Sequence, residues 1–300
     1  MDQKNNLEKD EDKTVEFQSL KYLLHRNFAE IENISLGNAS AGIPTSFYDF
    51  DAMTQGLRRG DLIAFAGRPS MGKTSLALQF ARNVAGQNLP VCFFGFDLSK
   101  EELAYRILGM EVGIEIGRIR TGRFTSEEWQ LVYEKNTKLE SLPIFIEDKK
   151  AISIDEIKNR CRDISMTIDE KSLGLIVIDS YQLMEYSSVD DYQAQLERNT
   201  KELKNLAKEL NVPVLITAPI SGRVEERENC RPMLSDIRDS DVLEDYGDII
   251  VMLYRDEYYD PETEDRGIAE LIVTTHRNGP VGTVKMLFEP QFGRSRNLAA

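Results

Sequence analysis

Three hundred residues with 41% hydrophobic content carry enough apolar side chain for one large α/β domain with a short appendage, rather than two equal domains. A formal net charge of -14 excludes the general basic surface by which a protein coats duplex DNA, so any nucleic-acid contact must be local. Cys92, Cys161 and Cys230 are widely spaced, odd in number and free of any CxxC or Cys/His cluster, which argues against a disulfide frame or a zinc site.

Residues 1–16 are polar and charged without apolar periodicity and are expected to form a disordered tail. They contain no apolar signal region, and no stretch of the chain approaches the roughly 18 apolar residues of a membrane span, so a cytoplasmic protein is expected. From Phe17, the positions Leu20, Leu23, Leu24, Phe28 and Ile31 recur at helical spacing and predict one amphipathic helix. It ends before a Gly/Asn/Ser stretch at 37–42, so 17–41 reads as a helix with a flexible connection. The helix must bury its stripe on its own domain or on a neighbouring subunit, and the spacing leaves both open.

The main domain is expected over 42–300. Apolar runs at 62–66, 91–96, 144–146, 175–178 and 212–217 alternate with helical patterns opening at 73, 100, 154 and 195. This predicts βαβ units and a mainly parallel sheet covered on both faces. After 248 the pattern changes to runs at 249–254, 268–275 and 282–288 joined by turns, which predicts an antiparallel extension.

Gly67-Arg-Pro-Ser-Met-Gly72-Lys73-Thr74 fits GxxxxGK[ST], between a predicted strand and a predicted helix. Glycines at 67 and 72 let the backbone N–H groups turn inward onto phosphate oxygens, and the helix adds its positive end. Gly67, Arg68, Pro69, Ser70, Met71, Gly72, Lys73, Thr74 and Ser75 are therefore expected to bind ATP, with Lys73 on the β and γ phosphates and Thr74 on Mg2+. A second metal carboxylate is expected at Asp179, which ends the apolar run Leu175-Ile-Val-Ile.

These residues, together with further segments, resemble the C-terminal motor domain of DnaB-type replicative helicases. The segments include Gly42-Ile-Pro-Thr-Ser-Phe, Arg68-Pro-Ser-Met-Gly-Lys-Thr, Arg231-Pro-Met-Leu-Ser-Asp-Ile-Arg, Leu253-Tyr-Arg-Asp-Glu-Tyr-Tyr and Arg277-Asn-Gly-Pro-Val-Gly-Thr-Val. They run in the family's order from about residue 17 to the C-terminus, without the family's N-terminal helical domain. The resemblance implies a RecA-like ATPase core and a hexameric ring of identical chains hydrolysing ATP at each junction. It further implies single-stranded DNA through the centre, 5′ to 3′ unwinding in DNA replication, and contacts with other replication proteins. It makes the helix at 17–33 the linker that packs on the adjacent subunit. Arg277 becomes the arginine finger offered to the neighbour's nucleotide, and Arg238 and Asp239 lie where the family's central loop touches the DNA backbone.

The chain departs from that pattern at functional positions. Asp97 replaces the glutamate that orients the attacking water and is shorter by one methylene, roughly 1.5 Å. Pro219 replaces a glutamine that senses the γ-phosphate, and Thr275 replaces a lysine two residues before Arg277. Asp241 replaces a glycine at the central loop. Two functions follow, an ATP-driven helicase or a catalytically weakened DnaB paralogue that uses nucleotide to set its assembly.

The remaining signals are quieter. His25 and His276 have no metal-ligating neighbours in sequence and read as structural or surface residues. Trp129, on a predicted amphipathic helix, is expected to be buried rather than to stack on a base. Tyr254, Tyr258 and Tyr259 either flank the adenine or pack, and the sequence leaves both open.

Overall fold

The computed structural model describes residues 18–150, 152–167, 172–184, 192–238 and 240–298. The expected tail at 1–16 and the candidate Asp239 lie outside the described residues. Two compact units divide between Ala41 and Gly42. The first holds α1 (Leu20–Ser35), whose entry is set by the Ser19 hydroxyl accepting the Tyr22 N–H at 3.3 Å. The stripe formed by Leu20, Leu24, Phe28 and Ile31 is exposed.

The second unit is built on a nine-stranded sheet in the order β3-β2-β4-β5-β1-β6-β7-β8-β9. Its parallel part comprises β1 (Leu62–Gly67), β2 (Val91–Gly95), β3 (Ile144–Glu147), β4 (Leu175–Asp179), β5 (Val214–Pro219) and β6 (Ile249–Tyr254). The extension is β7 (Ile268–His276), β8 (Gly282–Glu289) and β9 (Arg294–Asn297). The sequence pattern assigns 249–254 to the antiparallel extension, but β6 pairs parallel with β1 and only its other edge is antiparallel, to β7. Hydropathy shows that a strand exists and not which direction its neighbour runs, and the short, polar β9 gives no apolar signal at all.

Helices α2 (Tyr48–Thr54), α3 (Lys73–Ala85), α4 (Lys100–Val112), α5 (Ile116–Thr121) and α6 (Ser126–Glu140) come before β3. They are followed by α7 (Ile154–Thr167), α8 (Tyr192–Glu209) and α9 (Ser240–Tyr246). Because side chains alternate across a strand, β1 feeds two cores. Ile63 and Phe65 join Leu76, Phe80 and Val84 of α3, while Leu62, Ala64 and Ala66 join Leu196, Leu203 and Leu206 of α8. Phe80 meets Phe47, Phe50 and Phe65 at ring distances of 5.4, 5.4 and 5.2 Å. Each such ring contributes about 1.5–3 kcal/mol through burial, which fixes α3 and hence the turn that precedes it.

Trp129 departs from expectation. It is 54% exposed, with its ring edge-on to Phe124 at 5.0 Å, because α6 turns Val132 and not Trp129 to the interior. Cys92 and Cys161 are buried, and Cys230 is half-buried. No helix among the described residues is long and apolar enough to cross a membrane.

Candidate nucleotide-binding site

The phosphate-type turn connects β1 to α3 at the C-terminal edge of the sheet. Ser70 and Gly72 both have positive φ, 66° and 96°, which curls the turn. At Gly72 a side chain is excluded twice, since a Cβ there would lie 2.9 Å from Cζ of Phe288 on β8. Lys73 opens α3 and donates through Nζ to the carbonyl oxygens of Gly67 and Arg68 at 2.8 and 3.0 Å. Burial pushes the Lys73 ammonium down to about 8, opposed by the Asp179 charge and assisted by Arg68.

A cleft of about 590 Å3 opens at this turn. It brings together Pro69, Ser70, Gly72, Lys73, Thr74 and Ser75 of the predicted loop with Asp97 after β2 and Asp179 at the end of β4. Asp179 is buried, and desolvation pushes its carboxyl above the ordinary carboxylate range. Hydroxyl donors from Thr217, at 2.5 Å, and from Thr74 oppose that shift, as does the Lys73 charge. Gly67, Arg68 and Met71 belong to the turn without lining the cleft, and Met71 is buried beneath it. Pro219, at the exposed end of β5, forms part of the wall.

The sequence does not point to four polar residues of the cleft, Arg106, Ser180, Gln182 and Thr217. Arg106 on α4 lines the cleft, and its Nε has no hydrogen-bond partner among the described residues. Gln182 follows β4 in a single 3-10 turn, and Thr217 lies on β5. None belongs to a sequence motif. The only available signal was strand order, which places the ends of β4 and β5 side by side.

The structure does not bring Arg277, Arg238 or the tyrosines into the cleft. Arg277 follows β7 at the opposite edge of the sheet, where its N–H donates to the Asp248 carbonyl at 2.9 Å and Asp248 in turn accepts the Leu62 N–H at 2.7 Å. Leu62 begins β1 and Gly67 ends it, so about 16 Å of strand separates Arg277 from the turn. The Arg277 side chain is held by the carbonyls of Gly247, at 3.0 Å, and Asp245. Arg238 is exposed, and its guanidinium lies 5.1 Å from the centre of the Tyr192 ring. Tyr254 stacks on Tyr259 at 5.9 Å and Tyr258 meets Tyr259 edge-on, so the three pack against one another. Beside the turn, Arg255 instead lies 4.7 Å over the Phe288 ring and donates to the Ser70 carbonyl at 3.2 Å. Asp241 falls in the first turn of α9, where a carboxylate is favoured by the helix dipole.

Residues 42–297 match the DnaB-like helicase C terminal domain family. The chain is 40% identical over 289 residues to the replicative DNA helicase DnaC of Bacillus subtilis, covering 95% of this chain and 63% of that protein. It is 39% identical over 286 residues to the replicative DNA helicase DnaB of Geobacillus stearothermophilus, covering 94% and 62%. It thus spans about three fifths of the length of these relatives. Among solved structures, one described as an ATPase domain superposes with a TM-score of 0.89 at 35% identity, covering 94% of this chain and all of that one. A DnaB-like replicative helicase described with its primase interactions gives 0.85 at 34% identity, covering 94% and 68%. The family is a nucleotide-binding one, and the chain belongs to it as a DnaB-like helicase C-terminal domain.

Proposed function

We propose that this chain is the ATP-hydrolysing motor domain of a ring-forming replicative DNA helicase that moves 5′ to 3′ on single-stranded DNA. The observation that carries the reading is a division of labour. Lys73, Thr74, Asp97 and Asp179 converge on one cleft, whereas Arg277 lies across the sheet, out of reach of that cleft. A guanidinium so placed serves a nucleotide only on another subunit, as a ring provides.

Within the cleft, the backbone N–H groups at the start of α3 and the Lys73 ammonium bind the phosphates of ATP. Oxygen donors suit Mg2+, and the Thr74 hydroxyl beside the Asp179 carboxylate would hold it there. When bound, that ion neutralises phosphate charge. Asp97 orients the attacking water, and Arg106 faces the cleft as a second cation for phosphate oxygens. Arg238 and Asp239 contact the DNA backbone, and the exposed stripe of α1 supports packing on a neighbouring subunit.

A second reading, a weakened paralogue that binds nucleotide mainly to assemble, is favoured by the short Asp97 carboxylate and by Pro219 at the cleft wall. A catalytic group misplaced by 1 Å loses roughly a hundredfold in rate. Steady-state ATPase activity with and without single-stranded DNA separates the two. Turnover stimulated by DNA and abolished by Lys73→Ala supports the motor. Tight binding with negligible turnover, partly restored by Asp97→Glu, supports the paralogue, and a strict monomer with nucleotide present would overturn the trans role of Arg277.

A further inference from the structure

Arg68 directs its backbone and its side chain to different places. Its carbonyl accepts the Lys73 ammonium at 3.0 Å, inside the phosphate-binding turn. Its side chain does not line the cleft; Nε donates to Glu225 Oε1 at 2.9 Å and Nη1 donates to the Ile220 carbonyl oxygen at 3.4 Å. One residue therefore joins the lysine that grips phosphate to the segment that follows β5.

That segment is braced as a unit up to Arg238. Ile220 bridges to Ile237, and the Ser221 N–H donates to the Asp236 carbonyl at 2.8 Å. The Asp236 carboxylate accepts both Nη groups of Arg227, at 2.8 and 2.6 Å, together with the Met233 N–H at 2.7 Å. Glu225 lies in the single 3-10 turn Gly222–Glu226 within the same piece. Strand β5 itself ends at Pro219, so the residue that joins the strand to this segment contributes neither a side-chain donor nor an N–H. Arg68 supplies side-chain donors to it.

We infer that the Arg68–Glu225 ion pair transmits the state of the phosphate-binding turn to the Ile220–Arg238 segment, with Glu225 acting as a positioning residue for Arg238. The inference rests on the function proposed above. It requires little of the pair energetically, because an ion pair with one partner on each element sets their relative position even where solvent weakens it. Glu225 is also 42% exposed at its side chain, so its replacement leaves the core intact.

The test uses the full chain and three measurements on wild type and Glu225→Gln. These are calorimetric affinity for a magnesium-bound, non-hydrolysable ATP analogue, hydrogen exchange across 220–238 with and without that analogue, and ATPase stimulation by oligo-dT. Wild type should show nucleotide-dependent exchange in 220–238. Glu225→Gln should lose most of that response and at least about fivefold of the DNA stimulation, the lower end of ordinary coupling energies, with nucleotide affinity kept within about twofold. The double variant Arg68→Glu/Glu225→Arg should regain the exchange response, which a merely structural role would not predict. An unchanged response in Glu225→Gln overturns the inference, as does a wild type that binds nucleotide without altering this segment. Absence of any heat of nucleotide binding overturns the proposed function itself, and the relay with it, since the relay then has no input.

Discussion

The Thr217 hydroxyl donates to Oδ1 of Asp179 at 2.5 Å, joining the ends of the neighbouring strands β5 and β4 inside the protein. Desolvation favours the protonated acid at Asp179, and this hydrogen bond favours the carboxylate that a magnesium-bound nucleotide needs. Thr217→Val keeps the shape of the buried side chain and deletes the donor. Affinity for magnesium-ATP should fall about tenfold, in line with a hydrogen bond to a charged group, while the melting temperature changes little. Calorimetry over a range of pH should also show the acidic limb of binding displaced upward. Unchanged affinity would mean that Thr217 does not support the carboxylate.

Lys73 gives a pH dependence of the opposite sense. Its ammonium titrates at about 8, so below that pH it is charged and available to phosphate. Bound phosphate favours the charged form and raises the pKa in the complex. Affinity should therefore be full below about 8 and fall as pH rises through it, approaching tenfold per pH unit. Calorimetry between about pH 6.5 and 9.5 in buffers of different ionisation heat should detect proton uptake on binding above that point. Lys73→Ala should bind weakly and without this dependence. Wild-type affinity that stays flat across the range would sink the assignment.

Asp61, just before β1, is pushed up to about 6 by burial and then by the neighbouring Asp248, with Lys204, Arg58 and His276 opposing. Asp248 is committed elsewhere, to the Lys204 ammonium at 2.5 Å and the Leu62 N–H at 2.7 Å. A carboxyl whose folded pKa is raised contributes stability that is present below its unfolded value, near 3.8, and is lost as pH rises through about 6. Asp61→Asn should remove that loss. The unfolding free energy at pH 8 should then rise by about 1 kcal/mol after allowing for the solvent that reaches the group, seen as a higher melting temperature and a flatter profile from pH 4 to 6. A variant less stable than wild type at pH 8 would show that Asp61 makes a favourable contact instead.

The site was legible in the sequence wherever its chemistry is local. The turn at Gly67–Thr74 needs glycine at fixed offsets and a helix that starts at Lys73, and both requirements are written into consecutive residues. Asp179 could be read because a fully buried strand is a continuous apolar run and its end stands out. Trp129 misled because an amphipathic pattern shows that a helix has an inner face without saying how far that face extends. Direction was equally hidden at β6, whose apolar run serves a parallel neighbour on one side and an antiparallel one on the other.

By itself, then, the sequence determined the phosphate-binding turn and the alternation of strands and helices and picked out Lys73, Thr74 and Asp179 from spacing along the chain, whereas Asp97 was picked out only by the resemblance to the family. Only the tertiary structure decided that Thr217 supports Asp179, that Arg106 lines the cleft, that Arg68 reaches Glu225 across 157 positions, and that Arg277 lies outside the cleft of its own chain. Those relations depend on which strands become neighbours and in what register, a choice made by the packing of both cores together and carried by no single segment.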